Sequence, residues 1–471
     1  MVFHGRPSRD CAPCRRRKIR CDLVSTGCSQ CHRAKLTCHG YRSSNELVFR
    51  DETRNTMQKV LARRTASWLH SAPQFSSDIS ARHAFLSLYI DAYSRGFYTL
   101  QSLLTDSGPN GHLQVSVDAV SLAFMAFQLN RQDLIPLANQ RYLAAIRSLR
   151  MAMRSSLQAE STTANHPLSD ETLQTVLLLD LYEKMAYQHH QLSEVPGSWL
   201  SHVQGALSIV RSRPRDKFSN PTIQQLATRT VIALTLSCGT AEMPIPEALI
   251  GLYHDLGCYV RSAKWTFIGL LITLVNLRAD MRNGKLDSSD IVRRARDLHD
   301  EFSHAESKIP RSWRPHRRDT SEAVVFGRYY DVYPGHYATQ VFNAYRIMRL
   351  DVCDIIQTFG PTTEAAETIT EVTEAICAAV PQFILPAARS QNTLPLSPLQ
   401  ILECSGVLTP LYAAARNTKD SVMRAWILRT LKYMADNGVK LAQSVAHVIM
   451  FLPEVDYWAV FRMVGNCAIT A

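Results

Sequence analysis

The chain of 471 residues has no long hydrophobic run and no apolar N-terminal segment. Its longest apolar-rich stretch, Trp265 to Val275, is about half of the roughly 20 residues that a helix needs to cross a bilayer. The first ten residues, MVFHGRPSRD, lack the apolar core of a secretory signal. We therefore expect no membrane span and a reducing compartment, in which the 12 cysteines are thiols or metal ligands rather than disulfides.

Strings typical of common enzyme sites are also missing. The sequence has no G-x-S-x-G, G-x-G-x-x-G, P-loop or H-E-x-x-H motif. The nearest candidate, the acidic D-L-H-D-E at 297–301, lies in the highly charged stretch RRARDLHDEFSHAESK, which favours a solvated helix face. The pair His189 and His190 is expected at the surface. We therefore expect no enzymatic activity.

Sustained alternation of apolar and polar residues is absent too, so a sizeable sheet is not expected. Apolar residues instead recur at helical spacing from about residue 80 onward, and Ser169 before Asp170 and Glu171 is typical of a helix N-cap. Two such faces are Ala138, Tyr142, Ala145, Ile146, Leu149 and Met153, and Val341, Tyr345, Met348, Val352 and Ile355. With 46% hydrophobic and 20% charged residues, the chain predicts an all-α fold with a large helical domain, in one or two lobes.

Acidic residues are scarce at the N-terminus, where basic residues are concentrated. Residues 1–65 hold 15 Lys and Arg against five acids, whereas the remaining 406 residues hold 37 bases and 36 acids. The first segment therefore carries +10 of the net charge of +11. Such concentration suggests a polyanion as partner, although a solvated basic tail has the same composition.

Half of the cysteines form a repeated pattern in this basic segment. Cys11, Cys14, Cys21, Cys28, Cys31 and Cys38 follow C-x2-C-x6-C twice, and the two copies superpose at an offset of 17 residues. The superposition also aligns Arg16 with Arg33, Lys18 with Lys35 and Ile19 with Leu36. We expect each copy to form a short helix whose first turn carries two thiolates.

The ligand count favours a binuclear metal cluster. Two separate tetrahedral zinc sites need eight ligand positions, which six cysteines provide only if two sulfurs bridge both metals. Zinc is favoured over iron because the site is all thiolate and no iron–sulfur spacing is present. A mononuclear four-thiolate site with two spare thiols, or a disulfide knot, is the alternative. A stretch of about 30 residues cannot bury an apolar core, so the metals must supply most of its folding free energy.

The string CAPCRRRKIRCDLVSTGCSQCHRAKLTC resembles the fungal transcription factors that carry a two-zinc, six-cysteine cluster. The resemblance implies that Cys11 and Cys28 bridge two zinc ions, that Cys14 and Cys21 complete one site, and that Cys31 and Cys38 complete the other. The loop DLVSTG between the copies lacks the proline that many members carry. Gly27 can supply an unusual backbone angle in its place.

The resemblance also implies roles for the basic residues. Arg17 and Lys18 match the positions that read a CGG triplet in the major groove, where guanine presents two acceptors to Arg or Lys. Arg15, Arg16 and Arg20 are then expected to bind phosphates. The same stretch suits a nuclear import signal, and the two uses are compatible. Because His32 aligns with Arg15, the second copy is expected to support the first.

Weaker phrases extend the resemblance along the chain. LVFRDET after the cluster, LLLDLYE at 177–183, the Trp199, His202 and Gly205 pattern, FNAYRIMR at 342–349 and PLYAAAR at 410–416 are similar to the second type of fungal-specific regulatory domain. Residues 50–69 suit a short helix but not a sustained coiled coil, so monomer and homodimer both stay open. Trp199 and His202 are expected to be a packed pair, and Gly205 to permit close helix approach. The other cysteines are expected to be buried free thiols: Cys238, Cys258, Cys353, Cys377, Cys404 and Cys467.

The sequence thus predicts a zinc cluster at 1–40 that binds double-stranded DNA, a linker with a short helix at 41–79, and a helical regulatory domain at 80–471. The predicted function is a nuclear, sequence-specific regulator of RNA polymerase II transcription that recognises CGG-like half-sites. Co-regulators or the transcription machinery are further partners. The resemblance implies pathway-specific control, including control of secondary metabolism. The alternatives are a helical enzyme or small-molecule-binding protein with an accessory zinc module, and a zinc-dependent protein-interaction module.

Overall fold

The structure is a computed structural model that describes residues 8–41, 76–94, 96–109, 111–159, 169–186 and 197–465. The chain divides into two compact units, Met1–Gln74 and Phe75–Ala471. The predicted helix at 50–69, the phrase LVFRDET, the pair His189 and His190, and Cys467 lie outside the described residues. The predicted boundaries at 40 and 80 stay a prediction.

The described part of the first unit contains two short helices, α1 (Ala12–Arg16) and α2 (Ser29–Arg33). A small cluster of cysteines forms its interior, with Ile19 and Tyr41 packed against them. So few apolar side chains cannot stabilise a fold without metal, as the sequence indicates.

The described part of the second unit is built mainly from helices. Its α-helices, in chain order, are α3 (Ser77–Ala84), α4 (Leu100–Asp106), α5 (His112–Ala123), α6 (Ile135–Ala159), α7 (Asp170–Ala186), α8 (Gly197–Arg211), α9 (Pro221–Thr240), α10 (Glu247–Leu256), α11 (Ala263–Arg282), α12 (Ser288–Ser307), α13 (His336–Phe359), α14 (Thr363–Ala378), α15 (Pro381–Ile384), α16 (Pro398–Ser405), α17 (Leu408–Asn417), α18 (Ser421–Asp436), α19 (Leu441–Phe451) and α20 (Tyr457–Met463). Two π-helical turns, Phe85–Tyr93 and Phe124–Gln128, continue α3 and α5. Short 3₁₀ turns lie at Gln132–Leu134, Arg215–Ser219 and Arg311–Trp313.

The strands among the described residues form one β-hairpin. Strand β1 (His316–Asp319) pairs antiparallel with β2 (Tyr329–Val332), with His316 opposite Val332. Helices account for 70% of the structure and strands for 2%, which confirms the all-α prediction. No described helix is long and apolar enough to span a bilayer.

Two large apolar cores stabilise the helical unit beside a small cluster that includes Val325 and Tyr330, and α7 contributes to both large cores. Leu178 and Tyr182 of α7 pack in the smaller core with the α3 to α5 region, whereas Leu173 and Val176 pack in the larger core. The run VLLLDLYEKM is therefore buried on nearly all sides, which explains why it lacks a polar stripe. Ser169 caps this helix by accepting a hydrogen bond from Thr172 N at 3.2 Å, as predicted.

Most predicted helix faces are confirmed. The α13 face from Val341 to Ile355 is buried, and on α6 Ala138, Ala145 and Leu149 are buried. Asp297 and Asp300 in α12 are 68% and 81% exposed, which confirms a solvated face. Among described residues, only the N-terminal cysteines come together as a possible metal site.

Two predictions about single residues are wrong. Gly205 in α8 has nothing within 4 Å of the position that a Cβ would occupy, so it does not serve a close approach. Cys258 is exposed because it lies in the turn after α10, whereas Cys238, Cys353, Cys377 and Cys404 are buried free thiols as predicted.

The predicted packing of Trp199 against His202 stays a prediction, because the side chain of Trp199 is outside the described part. His202 itself contacts the Tyr142 hydroxyl at 3.2 Å.

Candidate metal centre and nucleic-acid interface

Each half of the cysteine repeat is a single helical turn that starts at a cysteine. Cys11 and Cys28 are the N-cap residues of α1 and α2, and Cys14 and Cys31 lie inside the helices. The halves therefore present their thiols from equivalent backbone positions, as the superposition at an offset of 17 predicts.

Both helices end in the same way. In the first half, Ile19 N donates to Cys14 O at 3.1 Å and Lys18 N donates to Arg15 O at 3.2 Å. In the second half, the corresponding bonds are Leu36 N to Cys31 O at 2.9 Å and Lys35 N to His32 O at 3.1 Å. This is the Schellman motif, which turns the chain sharply and lets the third cysteine of each half return to the cluster.

The sulfur atoms have the spacing of metal ligands. Sγ distances are 3.5 Å for Cys11 to Cys31, 3.5 Å for Cys14 to Cys28 and 3.7 Å for Cys21 to Cys11. Two sulfurs bound at about 2.3 Å to one tetrahedral zinc lie about 3.8 Å apart. A disulfide needs a separation of about 2 Å, so these thiols are not cross-linked.

The six sulfurs form two overlapping sets. Cys11, Cys14, Cys21 and Cys28 have all their Sγ atoms within 4.8 Å of one another, and so do Cys11, Cys31 and Cys38. Cys11 belongs to both sets, as a bridging ligand must. Cys28 approaches the second set through its backbone N–H, which lies 3.5 Å from Cys38 Sγ. An all-sulfur donor set with this spacing fits zinc.

The protonation of the thiols reflects their crowding. Burial opposes ionisation of Cys11, yet hydrogen bonds from Cys14, Cys31 and Cys21 lower its pKa to about 6. Burial, together with the hydrogen bond to Cys11 and the charge of that residue, raises the pKa of Cys31 to about 12. Cations bound between the sulfurs would stabilise the thiolates and release the remaining protons.

Three residues outside the repeat hold the loop between the halves. The Asp22 carboxylate accepts the N–H of Ser29 at 3.0 Å, which satisfies an N-terminal donor of α2. The hydrogen bond from the Ser29 side chain is the main cause of the lowered pKa of Asp22, and the backbone bond adds to it. The Tyr41 hydroxyl donates to Val24 O. Gly27 has a φ of 120°, which confirms its predicted unusual backbone angle. The sequence pattern does not identify Asp22 or Tyr41 as supports, because a capping acid is expected two or three residues before the N–H that it accepts and Asp22 lies seven residues before Ser29.

The basic residues of the first half form an exposed surface. Arg15, Arg16, Arg17, Lys18 and Arg20 are all exposed. Arg15 Nη1 also donates to Asp10 O at 2.7 Å, which ties the preceding chain to α1. At the corresponding positions of the second half, Arg15, Arg17 and Arg20 are replaced by His32, Ala34 and Thr37. The two halves thus share a backbone but differ in charge.

Comparison with known proteins identifies this unit. Residues 9–46 match the family model of the fungal Zn(2)-Cys(6) binuclear cluster domain. The matched segment is a Zn(2)-Cys(6) binuclear cluster domain. Such a domain binds two zinc ions and is typical of fungal DNA-binding transcription regulators rather than enzymes.

The match covers the cluster domain alone. No curated protein and no solved structure matches the chain. The similarity of the helical unit to a fungal-specific regulatory domain therefore stays a prediction.

Proposed function

We propose that this protein is a nuclear regulator of RNA polymerase II transcription whose cluster domain reads CGG-like half-sites. Arg17 and Lys18 contact guanine edges, and Arg15, Arg16 and Arg20 bind phosphates. Cys11 and Cys28 bridge the two zinc ions, with Cys14 and Cys21 on one ion and Cys31 and Cys38 on the other. The helical unit binds co-regulators or the transcription machinery, and the target pathway is a specific one, such as secondary metabolism.

The observation that carries the proposal is the charge difference between two halves of equal backbone geometry. Five exposed basic side chains lie at the end of α1 and just after it, whereas Arg33 and Lys35 are the only Lys or Arg residues at the matching positions of the second half. Guanine offers N7 and O6 as acceptors on the major-groove edge, which suits Arg and Lys donors. The first half therefore reads the bases, and the second half supports it.

Lys18→Ala tests the base contact. DNA sites are first selected from random double-stranded DNA with the zinc-loaded protein, and affinities for the selected and a scrambled site are then measured. We expect Lys18→Ala to weaken binding to the selected site by about 1 to 3 kcal/mol and to relax base choice. Paired triplets among the selected sites would indicate a homodimer, and single triplets a monomer.

Lys35→Ala is the matched control. Lys18 and Lys35 both have left-handed backbone angles, with φ of 53° and 52°, at the same position of the same motif. Any effect on folding should therefore be equal in the two variants, and only Lys18→Ala should lose base preference. If Lys18→Ala keeps the native ratio of affinities for the selected and scrambled sites, its role as a base contact is wrong.

A further inference from the structure

A cavity of about 250 Å³ lies in the helical unit between the helices α9 and α11. Gln225 and Thr228 line it from α9, and Trp265 lines it from the first turn of α11. A second cavity of about 90 Å³ adjoins the first, because Ile232 and Gln340 line both of them. One ligand can therefore extend from the first cavity into the second.

The second cavity reaches into the apolar core of the helical unit. It is lined mainly by apolar side chains, including Phe267 and Leu271 of α11 and Met348 of α13. Water gains few hydrogen bonds among such side chains, so an apolar group fits this space better than water does.

Three buried polar atoms in the lining of the first cavity have no hydrogen-bond partner among the residues that the structure describes. They are Gln225 Nε2, the Thr228 hydroxyl and Trp265 Nε1. Gln225 and Trp265 are only 8% and 5% exposed. Buried polar groups without a partner are rare in folded proteins. All three groups can donate, so the cavity favours a ligand with acceptor atoms.

The protein fixes the Gln225 amide so that the nitrogen is its unpaired end. The Gln225 oxygen accepts from Thr99 N at 3.2 Å and from the Thr99 hydroxyl. A backbone N–H can bind only the oxygen of an amide, so the two ends of this amide cannot exchange. Thr99 does not belong to the lining of the cavity. The nitrogen is therefore the end that remains for a ligand.

The charged residues of the lining already interact within the protein. Arg229 hydrogen-bonds to Tyr89 and interacts electrostatically with Tyr89 and Asp180. Its guanidinium also stacks over the Phe97 ring, with 3.3 Å between the guanidinium carbon and the ring centroid. Lys264 lines the cavity as well and also interacts within the protein. The groups without a partner are thus neutral donors, which favour a neutral acceptor over an anion.

We propose that the helical unit binds a small, neutral, apolar carbonyl compound of the ketone, ester or lactone class. Gln225, Thr228 and Trp265 donate to its carbonyl group, and its apolar part lies toward Phe267 and Met348. This site goes beyond DNA recognition and does not depend on it.

Calorimetric titration of the full-length protein with butyrophenone tests the proposal. Butylbenzene has the same skeleton with a CH₂ group in place of the carbonyl, and 4-phenylbutyrate carries a charged acceptor instead. We expect saturable binding of butyrophenone and about tenfold weaker binding of each comparison probe, because only the ketone pairs the donors without burying a charge. Failure of butyrophenone to bind, or equal or tighter binding of either comparison probe, would overturn the proposal.

Two variants locate the carbonyl group. Thr228→Val keeps the shape of the side chain and removes the hydroxyl. Trp265→Phe removes the indole N–H and keeps an aromatic ring against Tyr253, whose centroid lies 4.7 Å from that of Trp265. We expect each variant to weaken butyrophenone binding about fivefold and to leave butylbenzene binding unchanged, since a lost hydrogen bond affects the ketone alone.

Thr230→Val is the matched control. Thr230 lies in the same helix, but its hydroxyl donates to Leu226 O at 2.9 Å and it does not belong to the lining of the cavity. Thr230→Val should therefore keep the native affinity for butyrophenone. Native affinity of both Thr228→Val and Trp265→Phe, in proteins with native circular dichroism spectra, would overturn the proposal. The comparison of the three probes uses the native protein, so it decides the proposal even where a variant does not fold.

Discussion

Lys18 and Lys35 have left-handed backbone angles, which residues other than glycine rarely adopt. Left-handed angles cost an L-residue roughly 1 to 2 kcal/mol, and both halves of the cluster domain accept this cost at the same place. The sharp turn that results directs the following residues back to the sulfur cluster. In the first half, it also leaves Lys18 exposed at the end of α1, as the proposed base contact requires.

The charge of Lys264 is unfavourable in the folded protein, because it is partly buried and lies near the charge of Arg229. Burial and Arg229 hold its folded-state pKa at about 8, below the ordinary value of 10.5. Below pH 8 the lysine is charged in both states, and folding brings that charge next to Arg229. Between pH 8 and 10.5 the unfolded chain binds more protons than the folded one, so the contribution of Lys264 to stability increases with pH.

Lys264→Met should therefore stabilise the protein at neutral pH. The expected gain in the free energy of unfolding is about 3 kcal/mol at pH 7, and it should fall below about 1 kcal/mol at pH 10, where the native lysine is neutral in the folded protein. Chemical unfolding of both proteins at the two pH values measures this difference. A gain that is the same at pH 7 and pH 10 would show that lost charge is not its cause.

At the scale of helices, the position of a glycine matters more than its presence. Gly205 in α8 faces open space, whereas a Cβ on Gly239 in α9 would lie 2.5 Å from the Trp458 ring. Trp458 is 3% exposed and belongs to α20, so its ring has little room to move. Gly239, and not Gly205, is thus where two helices approach closely.

Alanine at these two positions should have opposite effects. Gly205→Ala should raise the free energy of unfolding by roughly 0.5 to 1 kcal/mol, because alanine loses less backbone entropy in a helix. Gly239→Ala should lower it by about 1 to 3 kcal/mol through overpacking against Trp458. Denaturant unfolding of the full-length variants measures both. Destabilisation by Gly205→Ala would mean that a neighbour does pack against α8 at this point.

These two glycines show what the sequence can and cannot predict about elements. Helical spacing identified the buried faces of α6 and α13 because periodicity depends only on which side of a helix meets the core. It could not tell that a neighbouring helix approaches Gly239 but not Gly205, since the neighbour of Gly239 is Trp458, which lies more than 200 positions away. The apolar neighbours of Cys258 predict a buried thiol, but Cys258 lies in an exposed turn that the helical spacing of apolar residues does not reveal.

At the scale of the whole molecule, the two units differ in how far sequence determines them. Metal chemistry fixes the number, type and spacing of ligands, so the cluster domain could be identified from six cysteines. The cavity between α9 and α11 could not be predicted, because its lining residues Gln225, Lys264 and Gln340 come from three different helices and form no sequence motif. The buried cysteines of the helical unit likewise lack the sequence spacing of metal ligands.

Everything proposed for DNA recognition depends on two metal ions held by shared sulfurs. The most direct measurement is native mass spectrometry of the full-length protein, purified with zinc and compared with its denatured mass. We predict two zinc ions per chain, lost together on acidification because Cys11 belongs to both sulfur sets. One ion per chain, or none, would contradict the binuclear cluster and the function inferred from it.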